Sequence, residues 1–442
     1  MKKIKVPKNV KLIINLLEKN GFEAYAVGGC VRDAVLLRKP NDWDITTSAL
    51  PEDVKKIFNR TIDTGIKHGT VTVMIEKTGY EVTTYRIDGE YEDGRHPKSV
   101  EFTRNLIEDL KRRDFTINAM AYNDRVGIVD EFGGISDLEN HLIKCVGNPT
   151  DRFNEDALRI LRAVRFAAVL GFEIEENTKS AIIELAENLN KISKERIQAE
   201  LEKLMMSKNP GLLECARQTG ITKVIFDEVD RLYGAGMLDK VLKLVNDMPP
   251  KHNLRWAGIL VMADRQRAAQ ILKDFKFDNK TVNVVSRIVA AAKRPLPADR
   301  AGVRRDIYEI GEDIYEEYLE FMKVYLASEL VEKMKGIGEK ILADVSSGSG
   351  SMENRQENVP YKTIEYDDIL NEYKDIIEKK ECISYKMLAV NGKDMIELGI
   401  ERGEKVGDML SQLLYKVLED SSLNDRKTLL DFACSVTSRD SR

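Results

Sequence analysis

The sequence predicts a small α/β domain followed by an all-helical remainder, and three observations carry that reading. From Ala24 to about Val146, short β-branched runs interleave with helical patterns, as in a mixed sheet dressed by helices. After Pro149 the strand signals nearly vanish, and apolar residues recur at helical spacing to about Asp344. A chain of 442 residues also exceeds what one compact core serves, so several domains are expected.

Composition narrows the class. Charged residues are 32% and aromatic residues 7% of the chain, typical of a soluble, helix-rich protein. The net charge of −5 argues against a protein that coats nucleic acid wholesale, while local basic patches leave RNA binding open. Cys30, Cys145, Cys215, Cys382 and Cys434 are scattered, odd in number and without metal-ligand spacing, which reads as reduced thiols in a cytosolic protein. The opening lysines mimic a signal peptide, but Asn15 and Glu18 interrupt the apolar stretch and no small-residue cleavage site follows. An amphipathic helix with Val10, Ile13, Ile14 and Leu17 inward fits better. No stretch approaches the length that spans a bilayer.

The stretch Val27–Thr46 organises the first domain. It reads as a strand ending in Gly28-Gly29, a helix, a Lys39-Pro40-Asn41 turn, and a second strand carrying Asp42 and Asp44. Strand side chains alternate faces, so the two carboxylates share one side and repel unless cations hold them, a task for a pair of magnesium ions. Glycines let the backbone approach a ligand, and amides at the following helix start suit a phosphate. Gly-Gly alone is commonly a tight turn, and Asp-x-Asp alone a solvated loop or cap. In strand–helix–strand order they point together to metal-assisted attack on a nucleoside triphosphate.

Val71–Ile75 and Glu81–Arg86 read as paired strands joined at Lys77-Thr78-Gly79, with Glu81 a candidate third carboxylate. The following Arg86–Pro97 stretch mixes glycines with both charge signs and reads as a loop. Next come three cations, Lys111, Arg112 and Arg113, ahead of Asp114, which alone would describe a solvated helix cap. Glu155–Phe166 reads as one helix, with Asp156 and Arg159 a turn apart on one face. Apolar residues surround that helix, so Arg159, Arg162 and Arg165 need anions or acceptors rather than water. A capping box from Ser193 explains Ser193–Arg196 locally. Later helices break at Gly171, Asn209-Pro210, Pro249-Pro250 and Pro295 to Pro297. Ser346–Pro360 has linker composition, a last helical segment runs to about Ala433, and the final residues read as disordered.

GGxxRD followed by DxD resembles the head-domain signature of the class II (bacterial-type) tRNA nucleotidyltransferases and poly(A) polymerases. The RRDFTINAM run and the EDxxRxxR run match the same family. The resemblance is strong over 24–166, returns over 388–433, and is weakest over about 345–385. It implies an elongated multidomain protein: a nucleotidyltransferase head (1–148), a helical neck with the base-selecting helix (149–210), a helical body (211–345), a linker or loop (346–360) and a tRNA-binding tail (361–442). Asp42 and Asp44 would bind two Mg2+ ions, one activating the tRNA 3′-hydroxyl and one steadying the triphosphate. Gly28, Gly29 and Arg32 would hold phosphates, Arg113 the nucleotide, and Asp114 a ribose hydroxyl. Arg162 and Arg165 would reach phosphates or brace the site, as Glu195 and Arg196 would brace the base-selecting helix.

By the same resemblance Asp156 and Arg159 select the base. Cytosine and adenine each present an amine donor beside a ring-nitrogen acceptor, whereas uracil and guanine present a carbonyl beside an N–H. A carboxylate only accepts and a guanidinium only donates, so the pair matches C and A and mismatches U and G. The implied activity is addition of CCA to tRNA from CTP and ATP, in the cytoplasm, without a membrane or protein partner. The tail stretch Val390–Gly407, with Lys405, would meet the tRNA elbow. The Arg86–Pro97 loop, apparently complete, and Gly65–Thr70 favour the full CCA-adding type. A poly(A) polymerase, a CC- or A-adding enzyme and a non-catalytic RNA-binding protein are the alternatives. No His-Asp dipeptide occurs near Leu254–Leu260, which excludes the second phosphohydrolase of some relatives, and His68, His96, His141 and His252 have no ligand spacing.

Overall fold

The computed structural model describes residues 3–89, 99–330 and 366–440. They fall into two compact units, Met1–Asn246 with Asp274–Lys276, and Asp247–Lys273 with Phe277–Arg442. The Ser346–Pro360 stretch and most of the Arg86–Pro97 loop lie outside the described residues.

The first unit opens with α1 (Lys8–Lys19), whose Val10, Ile13, Ile14 and Leu17 are buried, as their helical spacing predicts. Seven strands form a mixed sheet: β1 (Ala24–Val27), β2 (Asp44–Thr47), β3 (Thr61–Gly65), β4 (Thr70–Ile75), β5 (Thr78–Thr84), and then, past a separate short ribbon, β8 (Ala121–Asn123) and β9 (Gly127–Val129). That ribbon pairs β6 (Arg86–Asp88) with β7 (Val100–Phe102). The sheet order is β3-β4-β5-β2-β1-β8-β9, with β2 parallel to β5 and the other pairs antiparallel. The hairpin β4–β5 turns at Glu76-Lys77, one residue earlier than the sequence reading placed it, with Glu76 in the left-handed region at φ 56°. Two helices flank the strands that matter here, α2 (Gly29–Val35) after β1 and α3 (Pro51–Ile57) after β2. Val27, Tyr85, Leu106, Leu110 and Ala121 form a cluster that fixes α4 (Leu106–Lys111) beside β1.

Beyond α5 (Gly134–Glu139) and the two-residue β10 (Leu142–Ile143) the unit is nearly all helix: α6 (Pro149–Glu155), α7 (Leu158–Leu170), α8 (Glu176–Leu185) and α9 (Lys194–Met205). Only β11 (Glu173–Ile174), beside β10, interrupts them. Gly171, at φ 76°, ends α7 in the left-handed conformation that a side chain resists.

The second unit packs Trp256, fully buried, edge-on to Phe277 at 4.9 Å. Arg304, 5% exposed, donates to the carbonyls of Leu418 and Glu419 (2.7 and 2.8 Å), a cation on the C-terminus of helix Glu404–Glu419. The last helix runs from Arg426 to Asp440, past Ala433, so residues 434–440, whose polar composition implied disorder, are helical. Gly392 opens a helix and Gly403 caps another, while Lys405 pairs with Glu401 at 2.7 Å.

Candidate functional site

The site grows from the β1–α2 turn. Gly28 has φ 80°, and a Cβ there would come within 2.9 Å of the Arg113 guanidinium, so both conformation and space call for glycine. Gly29 begins α2, and Arg32, one turn on, is 9% exposed. Its guanidinium donates to Asp33 at 2.8 Å and to Asn118 Oδ1 at 2.7 Å.

Asp44 is the first residue of β2, opposite Val27, and Asp42 precedes the strand rather than lying in it. Parallel pairing of Ile45 with Val82 sets Glu81 level with Asp44. All three carboxylates are solvent-exposed. Among the described residues the Asp42 and Asp44 side chains have neither a hydrogen bond nor an ion pair. Surrounding protein pushes the Asp44 pKa up, Arg113 opposes that, and Asp42 adds to it. Glu81 is pushed up by its surroundings and then by the charges of Asp44 and Asp42. Like charges thus gather here, with Arg113 in partial relief of Asp44.

No three His, Cys, Asp or Glu side chains of the described residues make a metal cage by themselves. The donor set nevertheless fits Mg2+, which keeps several waters and takes one or two carboxylates together with substrate phosphates.

Arg113 is held from behind by Asp109. That carboxylate, wholly buried, accepts from Thr46 Oγ1 at 3.1 Å and from Arg112 Nη2 at 2.8 Å, and lies 3.5 Å from Arg113 Nη2. Burial alone would raise its pKa, but Arg112 and Arg113 outweigh it and the net shift is down. The Nε of Arg113 is buried without a partner among the described residues.

Asp114 is 9% exposed and accepts four hydrogen bonds: from its neighbour Phe115 N (2.8 Å), from Asn118 Nδ2 (3.1 Å), and from Arg162 Nε and Nη2 (3.0 and 2.7 Å). Burial works to raise its pKa, yet Arg162 and Asn118 carry it well below the usual carboxylate range. Four donors fill its lone-pair sites, so a ribose hydroxyl would have to displace one of them. Arg162 also approaches Glu200 (3.6 Å), and Glu200, 3% exposed, accepts from Arg165 Nε (2.9 Å) and Lys203 (3.0 Å). Arg32, Arg162 and Arg165 all lie against the Phe166 ring, at 5.1, 5.3 and 3.5 Å. One polar chain therefore runs from the glycine turn through Asn118, Asp114 and Arg162 to Glu200 on α9.

The pair expected to select the base, Asp156 and Arg159, lies in a different local structure from the single helix its spacing predicts. Glu155–Phe166 is not one helix: α6 stops at Glu155, and Asp156 is extended at φ −143° and ψ 103°. The freed carboxylate explains the break. Asp156 Oδ1 accepts from the Leu158 amide at 3.0 Å, which serves an otherwise unpaired N–H at the start of α7. Its Oδ2 accepts from Arg196 Nη2 at 2.7 Å. Arg159 is paired instead with Glu155 (2.6 Å) and with the carbonyls of Arg152 (3.3 Å) and Arg112 (3.0 Å). Asp156 and Arg159 are thus neighbours held separately, not an ion pair. The Arg112 carbonyl joins this turn to the carboxylates, because Arg113 is the next residue.

Arg196 braces Asp156 as expected, whereas Ser193 caps α9 without a side-chain hydrogen bond, so the capping box is absent. Asp109, Asn118 and Glu200 drew no role from the sequence. The traces were there, Asp109 four residues before Arg113 and Asn118 four after Asp114, but only the fold shows which way they turn. Two cavities of about 600 and 630 Å3, lined around Asn209 and Lys243 and around Tyr415 and Lys416, include none of these residues. No helix of the described residues is long and apolar enough to cross a membrane.

Residues 24–144 match the family model described as the poly A polymerase head domain, and residues 171–233 match one described as a probable RNA and SrmB-binding site of polymerase A. The chain is similar to the CCA-adding enzyme of Limosilactobacillus fermentum, 37% identical over 95% of each chain. It is 36% identical to that of Enterococcus faecalis, over 95% of this chain and 94% of the other. The crystal structure of the Bacillus stearothermophilus CCA-adding enzyme in complex with CTP superposes with a TM-score of 0.75, at 31% identity and covering 99% of both chains. A Thermotoga maritima CCA-adding enzyme complexed with tRNA, 21% identical, shares the fold with a TM-score of 0.59.

Proposed function

The chain belongs to the CCA-adding enzymes, and from that premise we propose how its own residues build the 3′-terminal CCA of tRNA out of CTP and ATP. The protein is a tRNA nucleotidyltransferase, and nucleotidyl transfer in this family is metal-dependent. The observation that carries the proposal is the gathering of Asp42, Asp44 and Glu81, unpaired like charges, beside an Arg113 that is pressed against the Gly28 turn. Asp42 and Asp44 are the metal ligands, with Glu81 near enough to join them electrostatically. Magnesium, bound there with the triphosphate, supplies charge neutralisation and an activated 3′-hydroxyl when present.

The chain's part is positioning. Gly28 and Gly29 admit the phosphates close to the backbone, and Arg32 and Arg113 offset their charge. Asp114, engaged by four donors, aims Arg162 more than it touches ribose, and Glu200 does the same for Arg165. Asp156 accepts the exocyclic amine of C or A, and Arg159 donates to the ring nitrogen. Both side chains are anchored before any nucleotide arrives, so little ordering is left for binding to offset. U or G would set carbonyl against carboxylate and N–H against guanidinium, a mismatch that in a site built around such bonds discriminates on the order of 10⁴-fold. No nucleic-acid template is needed. The second unit carries the tail that meets the tRNA elbow, and the protein works in the cytoplasm.

The test separating this from open-ended polymerisation uses a tRNA ending in CC and ATP alone. One adenosine per molecule is the expected product; a ladder of many would make the protein a poly(A) polymerase.

A further inference from the structure

Helix α2 ends in an unusual way. The Arg38 amide donates to the Asp33 carbonyl at 2.8 Å and the Leu37 amide to the Ala34 carbonyl at 3.2 Å. That is the Schellman arrangement, whose left-handed position is ordinarily glycine. Here it is Leu37, at φ 56°. An L-residue with a branched side chain is disfavoured in that region. Leu37 gains no burial in exchange, being 95% exposed, the most exposed of the large hydrophobic side chains described. The positions that often carry an apolar contact across this motif are Asp33 and Arg38 instead. The next two residues, Arg38 and Lys39, are exposed, and among the described residues neither side chain has a hydrogen bond or ion pair.

From this we propose that the Leu37-Arg38-Lys39 turn is a contact surface for the single-stranded 3′ end of the RNA, an apolar wedge for a base or sugar face flanked by two cations for phosphates. The inference rests on the tRNA-end reading above. Position favours RNA over any other occupant. The turn links the phosphate-binding glycines to Asp42, only five residues after Leu37. Five residues of extended chain reach about 18 Å at most. At a rise of about 3.4 Å per stacked nucleotide, that places the contact within about five nucleotides of the reacting hydroxyl. An apolar side chain beside cations is a combination that nucleic-acid surfaces use, since bases present an apolar face and the backbone is anionic.

Leu37→Gly removes the wedge and relaxes the turn, so it leaves folding intact or improves it. Steady-state CCA addition is measured with tRNA lacking CCA, varying tRNA and CTP separately, alongside the melting temperature and the sedimentation of the free protein. The expected result is a KM for tRNA raised about fivefold, an unchanged KM for CTP, and a melting temperature equal to or above the wild type. Arg38→Ala with Lys39→Ala, which removes two phosphate contacts to a single strand, should weaken tRNA binding and reduce the slope of log affinity against log salt by about 1.4. A tRNA KM and salt slope unchanged in both variants would overturn the proposal. So would a wild-type dimer that Leu37→Gly dissociates, because the surface would then belong to a second copy. Wild-type enzyme that adds CCA while both variants match it would sink only this inference; wild-type enzyme that adds nothing would sink the functional reading itself.

Discussion

Arg196, on α9, donates to Asp156 at 2.7 Å, so the carboxylate at the break between α6 and α7 is aimed by a different helix. Its other amino group, Nη1, is buried without a partner among the described residues. Arg196→Ala should therefore loosen the choice of base more than it slows chemistry. We expect the preference for CTP and ATP over UTP and GTP to fall by 10-fold or more, with the rate of correct addition falling less. Competition among the four nucleotides, read by sequencing the products, measures both. An unchanged preference would mean that Asp156 holds its place without help.

Asp42 is exposed and unpaired, so it contributes little to folding, and its charge opposes that of Asp44. Asp42→Ala should abolish addition of both C and A, a loss of 10³-fold or more, while the melting temperature stays level or rises slightly. Parallel incorporation and thermal-denaturation assays check this. Loss of activity together with unfolding would point to a structural role instead.

Gly28→Ala combines a positive φ with a Cβ placed 2.9 Å from the Arg113 guanidinium. The strain should destabilise the protein by about 1–3 kcal/mol, and the displaced Arg113 should weaken nucleotide binding. Denaturant titration and a KM for CTP measure the two effects, and both are expected.

In the second unit Asp306 is 6% exposed with one carboxylate oxygen unpartnered. Burial is the main reason its pKa is pushed up to about 6, with Arg294 pulling down and Glu309 pushing up. A folded-state pKa above the unfolded value means that the folded form binds the proton more tightly. Stability from this residue is complete below about pH 4 and is lost as pH rises to about 6, on the order of 2–3 kcal/mol. Asp306→Asn should flatten that slope and be the more stable protein at pH 8. Equilibrium unfolding of both proteins between pH 4 and 8 provides the comparison, and parallel curves would count against it.

Much of this was legible in the chain, for identifiable reasons. Val10, Ile13, Ile14 and Leu17 had only one helical face to occupy, and Gly171 could end α7 because few residues tolerate its φ. The break at Asp156 was hidden, because Glu155–Phe166 has helical periodicity throughout and one of the two donors that hold the Asp156 carboxylate, Arg196, lies 40 residues away. Asp42 read as strand because alternation does not say where pairing begins. Asp109 and Glu200 were silent because a buried carboxylate and a solvated one look alike until packing shows which arginines face them.

The central claim is that side chains, and not a nucleic-acid template, choose C and A over U and G. The most direct test supplies all four nucleoside triphosphates to tRNA lacking its 3′-terminal CCA and sequences the extended ends. Molecules extended by C, C and A, then stopped, are the predicted outcome. Ends that carry U or G as often as C and A, or run on past the third position, would contradict it.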